Sequence, residues 1–289
     1  MPANVAVPTV AVVECPADRN SSCLDSVAVN VAGPNPVSVM WSIARSLATV
    51  RRPRPSGNAT MSHATLAAPL RRLVSDGPLA LGDLVPALDG YVAAVAAVQP
   101  DGLSRDEALA LWINLYNAGA LRLAGEAQRR QVDSVLRLPG GYRRPFVTVD
   151  GEKLSLDDIE HAKLRRFGDP RIHAALVCGS VSCPMLRREP YAGPSLSRQL
   201  DDQLRYFLNA GGCVDDREAG VVYLSRVFLW FGGDFVRPHR MPTVLPVRRR
   251  SVLDALKPWL PPVTVRWIEA SDPAVAFRPY DWGRSCAVR

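Results

Sequence analysis

One apolar helix constrains the fold of this chain more than any other feature. From Ala108 to Ala124 the residues are apolar almost all round the helix, so other elements must cover it on most sides. Asn114 and Asn117 share one face of it, and an unpaired buried amide costs about 1–3 kcal/mol. We therefore expect a central buried helix whose asparagines either bond to the backbone of a loop or sheet edge, or orient a catalytic imidazole or donate to an oxyanion.

The remaining pattern predicts an α+β fold. Ser104 with Glu107, and Ser155 with Asp158, have the spacing of helix capping boxes. Helices are predicted near 64–75, 81–97, 105–127, 156–167, 195–209 and 251–258. Strands are predicted at 146–149, before a hairpin tip at Asp150-Gly151, and at 172–177, 221–224 and 263–267. The prediction is a helix-rich N-terminal half around the buried central helix, packed on a small later sheet.

Residues 1–60 differ from the rest of the chain in composition. They are rich in Pro, Gly, Ser, Ala and Val and keep no helical or strand period for long. This composition predicts a flexible extension. Residues 61–289 are predicted to form a single domain.

Charge and composition limit the expected partners. The net charge is +7, but the basic pairs are scattered among acids, so we expect no nucleic-acid partner. The sequence shows no uninterrupted apolar run of membrane length and no secretory leader, which predicts a cytoplasmic protein with no membrane partner. Six unevenly spaced cysteines predict reduced thiols. The expected partner is an unidentified small molecule or protein, and no cofactor is expected.

Reactive residues cluster in the fourteen residues from Arg171 to Pro184. His173, Cys178 and Cys183 lie there, in a chain with only four His and six Cys. The apolar run 172–177 predicts a buried strand that ends at Cys178. The proline after Cys183 predicts a helix start, where free N–H groups would favour a thiolate, the nucleophilic form of cysteine.

The order of several motifs resembles a known family. The motifs are Trp112–Ala118, Leu154–His161, Asp169–His173, Cys178-Gly179 and Ser182–Pro184, then Leu224–Phe231, Asp234-Phe235 and Tyr280–Trp282. Over roughly 64–283 they resemble the domain of unknown function 547 family, which is mostly bacterial and has no established general activity. Some eukaryotic relatives are fused to glutaredoxin modules, which points to thiol chemistry by association only. In place of the family's paired prolines after the second cysteine, this chain has Pro184-Met185.

Within these motifs the residues suit a cysteine-dependent enzyme. Cys183 is the expected nucleophile, His173 or His161 its base, and Asn114 or Asn117 the residue that orients the imidazole. Such a site would attack an amide or thioester carbonyl and give hydrolysis or acyl transfer. The residues expected to bind substrate or to support the site are Arg171, Cys178, Tyr116 and Asp281.

Three other interpretations are open. In the first, Cys178 and Cys183 form a reversible dithiol, although four residues separate them. His173 and both cysteines, with Cys213 or His161, would hold a metal ion, but their spacing fits no familiar zinc pattern and no metal is predicted. Finally, the protein would be a binding or scaffold module whose buried Asn and Cys residues only fix the central helix.

Overall fold

The structure is a computed structural model that describes residues 33–285. Up to Arg129 its regular secondary structure is mainly α-helical. Its helices are α1 (Pro36–Thr49), α2 (Ala64–Asp76), α3 (Leu81–Ala96) and α4 (Arg105–Arg129). Helix α4 runs through the first hydrophobic core, α3 packs along it, and α2 packs on α3.

Helix α4 is the predicted central helix. Ser104 caps it by accepting the N–H of Glu107, and the turns that follow are buried all round. Gly125 permits the close approach of α3, because a Cβ there would lie 2.7 Å from Val85 and 3.0 Å from the Leu81 carbonyl oxygen. The prediction of a buried central helix is confirmed.

Segment Pro78–Ala96, which contains α3, is long and apolar enough to cross a membrane by length and composition alone. Core helices pass the same test, so this is weak evidence for a span. Leu84, Leu88 and Val95 of this segment are buried in the first core. Packing against α2 and α4 accounts for its apolar character.

A hairpin and an irregular helix connect α4 to the cysteine-bearing loop. These elements are β1 (Val147–Val149), β2 (Glu152–Leu154), α5 (Leu156–Asp158), a π-helical turn (Ile159–Lys163) and a 3₁₀ turn (Leu164–Phe167). The strands pair antiparallel around Asp150-Gly151, as predicted. Ser155 and Asp158 form the predicted capping box at the start of α5.

The later elements form a second hydrophobic core. They are α6 (Ile172–Ala175), α7 (Leu196–Phe207), β3 (Cys213–Asp216), β4 (Val221–Leu224), α8 (Val227–Val236), α9 (Arg249–Leu256), α10 (Pro262–Ser271) and β5 (Ala274–Phe277). Strand β4 lies between β3, which is antiparallel to it, and β5, which is parallel. The sheet packs with α7 to α10, so it belongs to this second core beside the one around α4. The α+β prediction is confirmed.

Two predicted strands are helices. The run 172–177 contains α6, because a short apolar run does not distinguish a buried strand from a buried helical turn, and the Asp169 carboxylate starts the turn by accepting the Arg171 N–H. The run 263–267 lies in α10, which begins at a proline and buries one side of the helix, overriding the strand preference of its β-branched residues.

Part of the predicted extension is ordered. Helix α1 is capped by Asn35, and its Arg45 guanidinium donates to Asp158 at 2.7 Å. The prediction of a flexible segment is wrong for α1, because residues far along the chain supply the contacts that fix it. Residues 1–32 lie outside the described part of the chain, and the division of the chain after residue 60 stays a prediction.

Gly125→Ala is expected to lower the free energy of unfolding by about 1–3 kcal/mol, because the added methyl group overpacks the contact between α3 and α4. Gly90→Ala is the matched control: it lies in α3 with open space around it and should raise that free energy by about 0.5–1 kcal/mol. Urea denaturation of both variants measures the two changes. Equal stabilisation by both alanines would contradict the close helix contact.

Candidate active site

Asn117 holds the loop that carries both cysteines. Its side-chain N–H donates to the Ala175 carbonyl oxygen at 3.0 Å, and its side-chain oxygen accepts the Val177 N–H at 3.0 Å. The Tyr142 hydroxyl donates to the carbonyl oxygen of Cys178. One buried amide of α4 therefore fixes the chain immediately before Cys178.

Asn114 makes the same kind of bridge to a different loop. It donates to the Tyr191 carbonyl oxygen at 2.8 Å and accepts the Tyr191 N–H at 2.9 Å. Both asparagines thus bond to loop backbone, which is the first of the two roles considered from the sequence.

The end of the described chain covers the cysteine loop. The Val181 N–H donates to the Gly283 carbonyl oxygen at 2.9 Å, which pairs the two segments through their backbones. This pairing brings the Tyr280 hydroxyl to 3.1 Å from the Cys178 sulfur. The loop and the later segment therefore form one site.

The Cys178 sulfur lies among hydrogen-bond donors. The Ser180 hydroxyl is 2.8 Å from it and the Tyr280 hydroxyl 3.1 Å. The hydrogen bond from the Cys183 thiol, and then those from Ser180 and Tyr280, outweigh the effect of burial and lower the pKa of the Cys178 thiol to about 6. At neutral pH Cys178 is therefore mostly a thiolate, which is the reactive form.

Cys183 contacts the backbone of Cys178. Its sulfur accepts the Cys178 N–H at 2.7 Å. It also borders a small pocket, whose lining includes Leu121, Val177 and Met185. No helix begins at Cys183, so the predicted helix start there is wrong: the chain after it continues as a loop held by other contacts. The contacts that stabilise a thiolate converge on Cys178.

His173 and His161 belong to a buried ion-pair network. Nε2 of His173 lies 2.9 Å from Asp234, and its ring stacks on Phe231. Arg165 donates to both carboxylate oxygens of Asp234, at 2.7 and 3.0 Å, and lies 3.4 Å from Nδ1 of His161. Burial lowers the pKa of both histidines, that of His161 well below its usual value. Among the described residues neither ring is hydrogen-bonded to a cysteine sulfur.

Arg171 and Asp281 also have partners in the structure. Arg171 is paired with Asp169 at 2.6 Å and with Asp201 at 3.0 Å. The hydrogen bond from Arg171 to Asp169 is the main reason why the pKa of this guanidinium is raised. Asp281 is exposed and accepts the Gly283 N–H at 2.8 Å, which shapes the segment that follows Tyr280.

Sequence reasoning missed a carboxyl group near Cys178. Glu160, in the π-helical turn, accepts a hydrogen bond from the Tyr116 hydroxyl at 3.0 Å. Burial, and then the Asp157 carboxylate, raise the pKa of Glu160 to about 7, and charge on Cys178 acts in the same direction. Glu160 stands beside His161 in one of the sequence motifs, but the motif does not reveal that the helix widens there.

Ser180, Tyr142 and Tyr280 were likewise not predicted as site residues. Ser180 follows Cys178 by two residues, and this proximity was the one local signal. Tyr142 and Tyr280 reach Cys178 from distant segments, with Tyr280 lying 102 residues later. Their roles depend on the tertiary fold.

The structure gives the metal interpretation no support. Within the described range, no three or more His, Cys, Asp or Glu side chains are grouped so that they could hold a metal ion. His173 and His161 bond instead to the network of Arg165 and Asp234.

Residues 100–208 match the family model described as "Protein of unknown function, DUF547". The matched range includes α4, the π-helical turn and both cysteines of the loop. The match supports a DUF547 family domain in this part of the chain and agrees with the resemblance drawn from the motifs that it covers. The later motifs, from Leu224 onward, lie outside the matched range. Comparison with curated proteins and with solved structures gave no match.

The free energy of unfolding is expected to fall as pH drops below about 6.5. Burial lowers the pKa of His63 to about 4 and also lowers those of His161 and His173, so the unfolded chain takes up protons first. Each buried histidine contributes its full share of the free energy of unfolding at pH values above the pKa that it has in the unfolded chain. Below that pKa the contribution falls by about 1.4 kcal/mol per pH unit. The Cys178 thiol, whose pKa is lowered to about 6, acts in the same direction but over the range from about pH 9 to 6. Glu160, whose pKa is raised, opposes this trend, but three histidines outweigh one carboxyl group below about pH 6.5.

Urea denaturation at a series of pH values between about 7.5 and 5 tests this. His239→Gln is the control, because His239 is exposed and should leave the pH dependence unchanged. A free energy of unfolding that is flat or rises over this range would show that the three histidines are not buried in neutral form.

Proposed function

We propose that this protein is a cysteine-dependent enzyme whose Cys178 thiolate attacks an amide or thioester carbonyl. The observation that carries the proposal is the set of polar groups around the Cys178 sulfur: the hydroxyls of Ser180 at 2.8 Å and Tyr280 at 3.1 Å, with the Cys183 sulfur on the Cys178 N–H. These groups stabilise a thiolate, and Cys178 as a residue is partly exposed.

The same hydroxyls suit the charge movement of acyl transfer. Attack joins the Cys178 sulfur to the carbonyl carbon and moves negative charge from the sulfur to the carbonyl oxygen. The Tyr280 hydroxyl, which accepts the Ser180 hydroxyl at 3.0 Å and lies 3.1 Å from the sulfur, can then follow that charge. Collapse expels an amine or a thiol and leaves an acyl group on Cys178, which water or another acceptor removes.

The proposed partner is a small molecule or protein that carries an amide or thioester. A thiolate enzyme works only while its sulfur is reduced, and Cys178, Cys183 and Cys213 are free thiols in the structure. A reducing, cytoplasmic location fits this chemistry, and we include it in the proposal.

Iodoacetamide is expected to alkylate Cys178 first at pH 6 to 7. The background is a chain with three cysteines outside the described range replaced by serine: Cys15, Cys23 and Cys286. Cys213 should stay unlabelled, because burial raises the pKa of its thiol to about 12. Tyr280→Phe removes a donor and should slow alkylation at pH 6 about fivefold, the loss of thiolate when the pKa rises by about one unit.

Tyr223→Phe is the matched control, since this tyrosine lies on β4 and has no contact with either cysteine of the loop. Mass spectrometry of the digested protein identifies the labelled residue and its rate. Slow, equal labelling of Cys178, Cys183 and Cys213 would end the proposal and favour the scaffold interpretation.

A second candidate function is thiol–disulfide exchange. It is favoured by one observation: the Cys183 sulfur accepts the backbone N–H of Cys178 at 2.7 Å, so the loop brings the two cysteines together. Cys178 would attack a partner disulfide, form a mixed disulfide and release one thiolate. Cys183 would then attack Cys178, release the second thiol and leave a Cys178–Cys183 disulfide, while the partner gains two electrons.

Glutathione disulfide is the probe for this candidate. The expected product is an internal disulfide, seen as a loss of two hydrogens from the tryptic peptide Ile172 to Arg187, which contains both cysteines. Cys183→Ser should instead keep glutathione on Cys178. A stable glutathione adduct on the unaltered loop would mean that Cys183 does not resolve the mixed disulfide.

A further inference from the structure

We propose that a cleft beside the second half of α4 binds a phosphate monoester whose organic part is apolar. The cleft is distinct from the cysteine site, because its lining shares no residue with the small pocket that Cys183 borders. The inference goes beyond the proposed function and does not rest on it.

Three arginines line this cleft, which is open to solvent and holds about 440 Å³. Arg122 and Arg129 come from α4, and Arg144 comes from the segment before β1. Glu126 also lines the cleft. It follows Arg122 by four residues and precedes Arg129 by three, so all three side chains lie on one face of the helix. That face and the segment before β1 therefore bring three guanidinium groups to one cavity.

The charges in the lining do not cancel. Among the described residues that line the cleft, Glu126 is the single acidic one. Arg144 donates to its carboxylate at 2.5 Å, and Arg130, outside the lining, is paired with it at 2.8 Å. Arg122 is paired with Asp89 of α3. With these outer partners included, the cleft still has two net positive charges.

Arg129 is the guanidinium that is available to a ligand. It is exposed, and its side chain forms no hydrogen bond or ion pair within residues 33–285. Its place in the last turn of α4 suits a positive charge, but the fold uses none of its N–H donors. Because the guanidinium groups around the cleft repel one another, an anion bound among them is stabilised by all of them.

The rest of the lining is largely apolar. Phe146 and Leu156 contribute to it, together with Val85 of α3. The Phe146 ring packs directly on α4 at Gly119, where a Cβ would lie only 2.5 Å from it. The Arg122 guanidinium lies 5.9 Å from the centre of the same ring. The cleft therefore offers an aromatic surface next to a positive charge.

A phosphate monoester fits both parts of the cleft. At pH 7 its phosphate has a charge of about −1.5 to −2 and three acceptor oxygens, which matches two net positive charges. Guanidinium groups bind such oxygens in pairs through parallel N–H donors. A carboxylate or a phosphodiester supplies one negative charge and would leave the cleft positive. An apolar group on the ester oxygen would pack against Phe146 and Leu156.

Phenyl phosphate is the probe, and isothermal titration calorimetry of the full chain measures its affinity. Low ionic strength is used because salt screens exposed charges. One saturable site is expected. Benzoate has the ring with a single charge, and inorganic phosphate has the charge without the ring. Each should bind about fivefold more weakly or worse, because one group of contacts is lost. The heat of binding does not depend on Cys178, so failure of this inference and failure of the proposed function are separate results.

Two substitutions in the lining have opposite expected effects. Arg129→Gln removes the available guanidinium and should weaken phenyl phosphate binding about tenfold. Glu126→Gln removes the carboxylate that repels the phosphate and should strengthen binding about threefold. Arg198→Gln is the matched control, an exposed arginine of α7 outside the lining, and should leave the affinity unchanged. Urea denaturation checks that each variant is folded.

Several results would overturn the inference. The parent protein could show no saturable binding of phenyl phosphate, or Arg129→Gln could leave the affinity intact. Equal weakening by Arg129→Gln and Arg198→Gln would indicate general attraction to a basic surface. Benzoate binding as tight as that of phenyl phosphate would contradict a phosphate ligand, and equally tight inorganic phosphate would contradict an apolar organic part.

The same phosphate chemistry occurs in soluble monoesters and in the headgroup of phosphatidic acid. Sedimentation with phosphatidylcholine vesicles that contain phosphatidic acid distinguishes the two sources. Protein that sediments with these vesicles, and that phenyl phosphate releases, would assign the cleft to the lipid headgroup. Protein that binds phenyl phosphate but stays in the supernatant would assign it to a soluble monoester.

Discussion

Burial of α4 on all sides from Glu107 to Leu121 is the constraint on which the rest of the structure depends. A helix segment covered on all sides has no solvent to satisfy its polar side chains, so a buried amide or hydroxyl there is stable only when it bonds to the element that covers it. Asn114 bonds to one loop and Asn117 to the loop before Cys178. Tyr116 bonds to Glu160. Satisfying the buried polar groups of α4 therefore also fixes the loop that carries both cysteines.

The buried ion-pair network of Arg165, Asp234 and His173 is separate from the cysteine loop and connects the two hydrophobic cores. Arg165 comes from the 3₁₀ turn beside the first core, and Asp234 comes from α8 in the second. Their bidentate pair, extended to His173 and to the Thr243 carbonyl oxygen, joins the two halves of the described chain. Buried pairs of this kind add little net stability, but they penalise any packing that separates the partners.

Local signals predicted much of the fold and little of the site. The apolar pattern of α4, the capping boxes and the hairpin at Asp150-Gly151 are all encoded by residues close in sequence, and each was predicted. Helix α1 was missed because its partner Asp158 lies 113 residues away. The sequence drew attention to the loop that carries both cysteines but favoured Cys183, not Cys178, as the nucleophile. Tyr280, one of the groups that lower the pKa of Cys178, lies far away in sequence, and the burial that raises the pKa of Glu160 depends on the tertiary fold.

The distance in sequence between Cys178 and Tyr280 has a consequence for biosynthesis. The cysteine loop leaves the ribosome well before Tyr280 is made, since 102 residues separate them. Chains fold progressively from the N-terminus during synthesis, so the loop emerges without one of its donors. In the nascent chain the Cys178 thiol thus has a higher pKa and reacts more slowly with oxidants and electrophiles. Its pKa falls fully only after the segment that contains Tyr280 has packed against the cysteine loop.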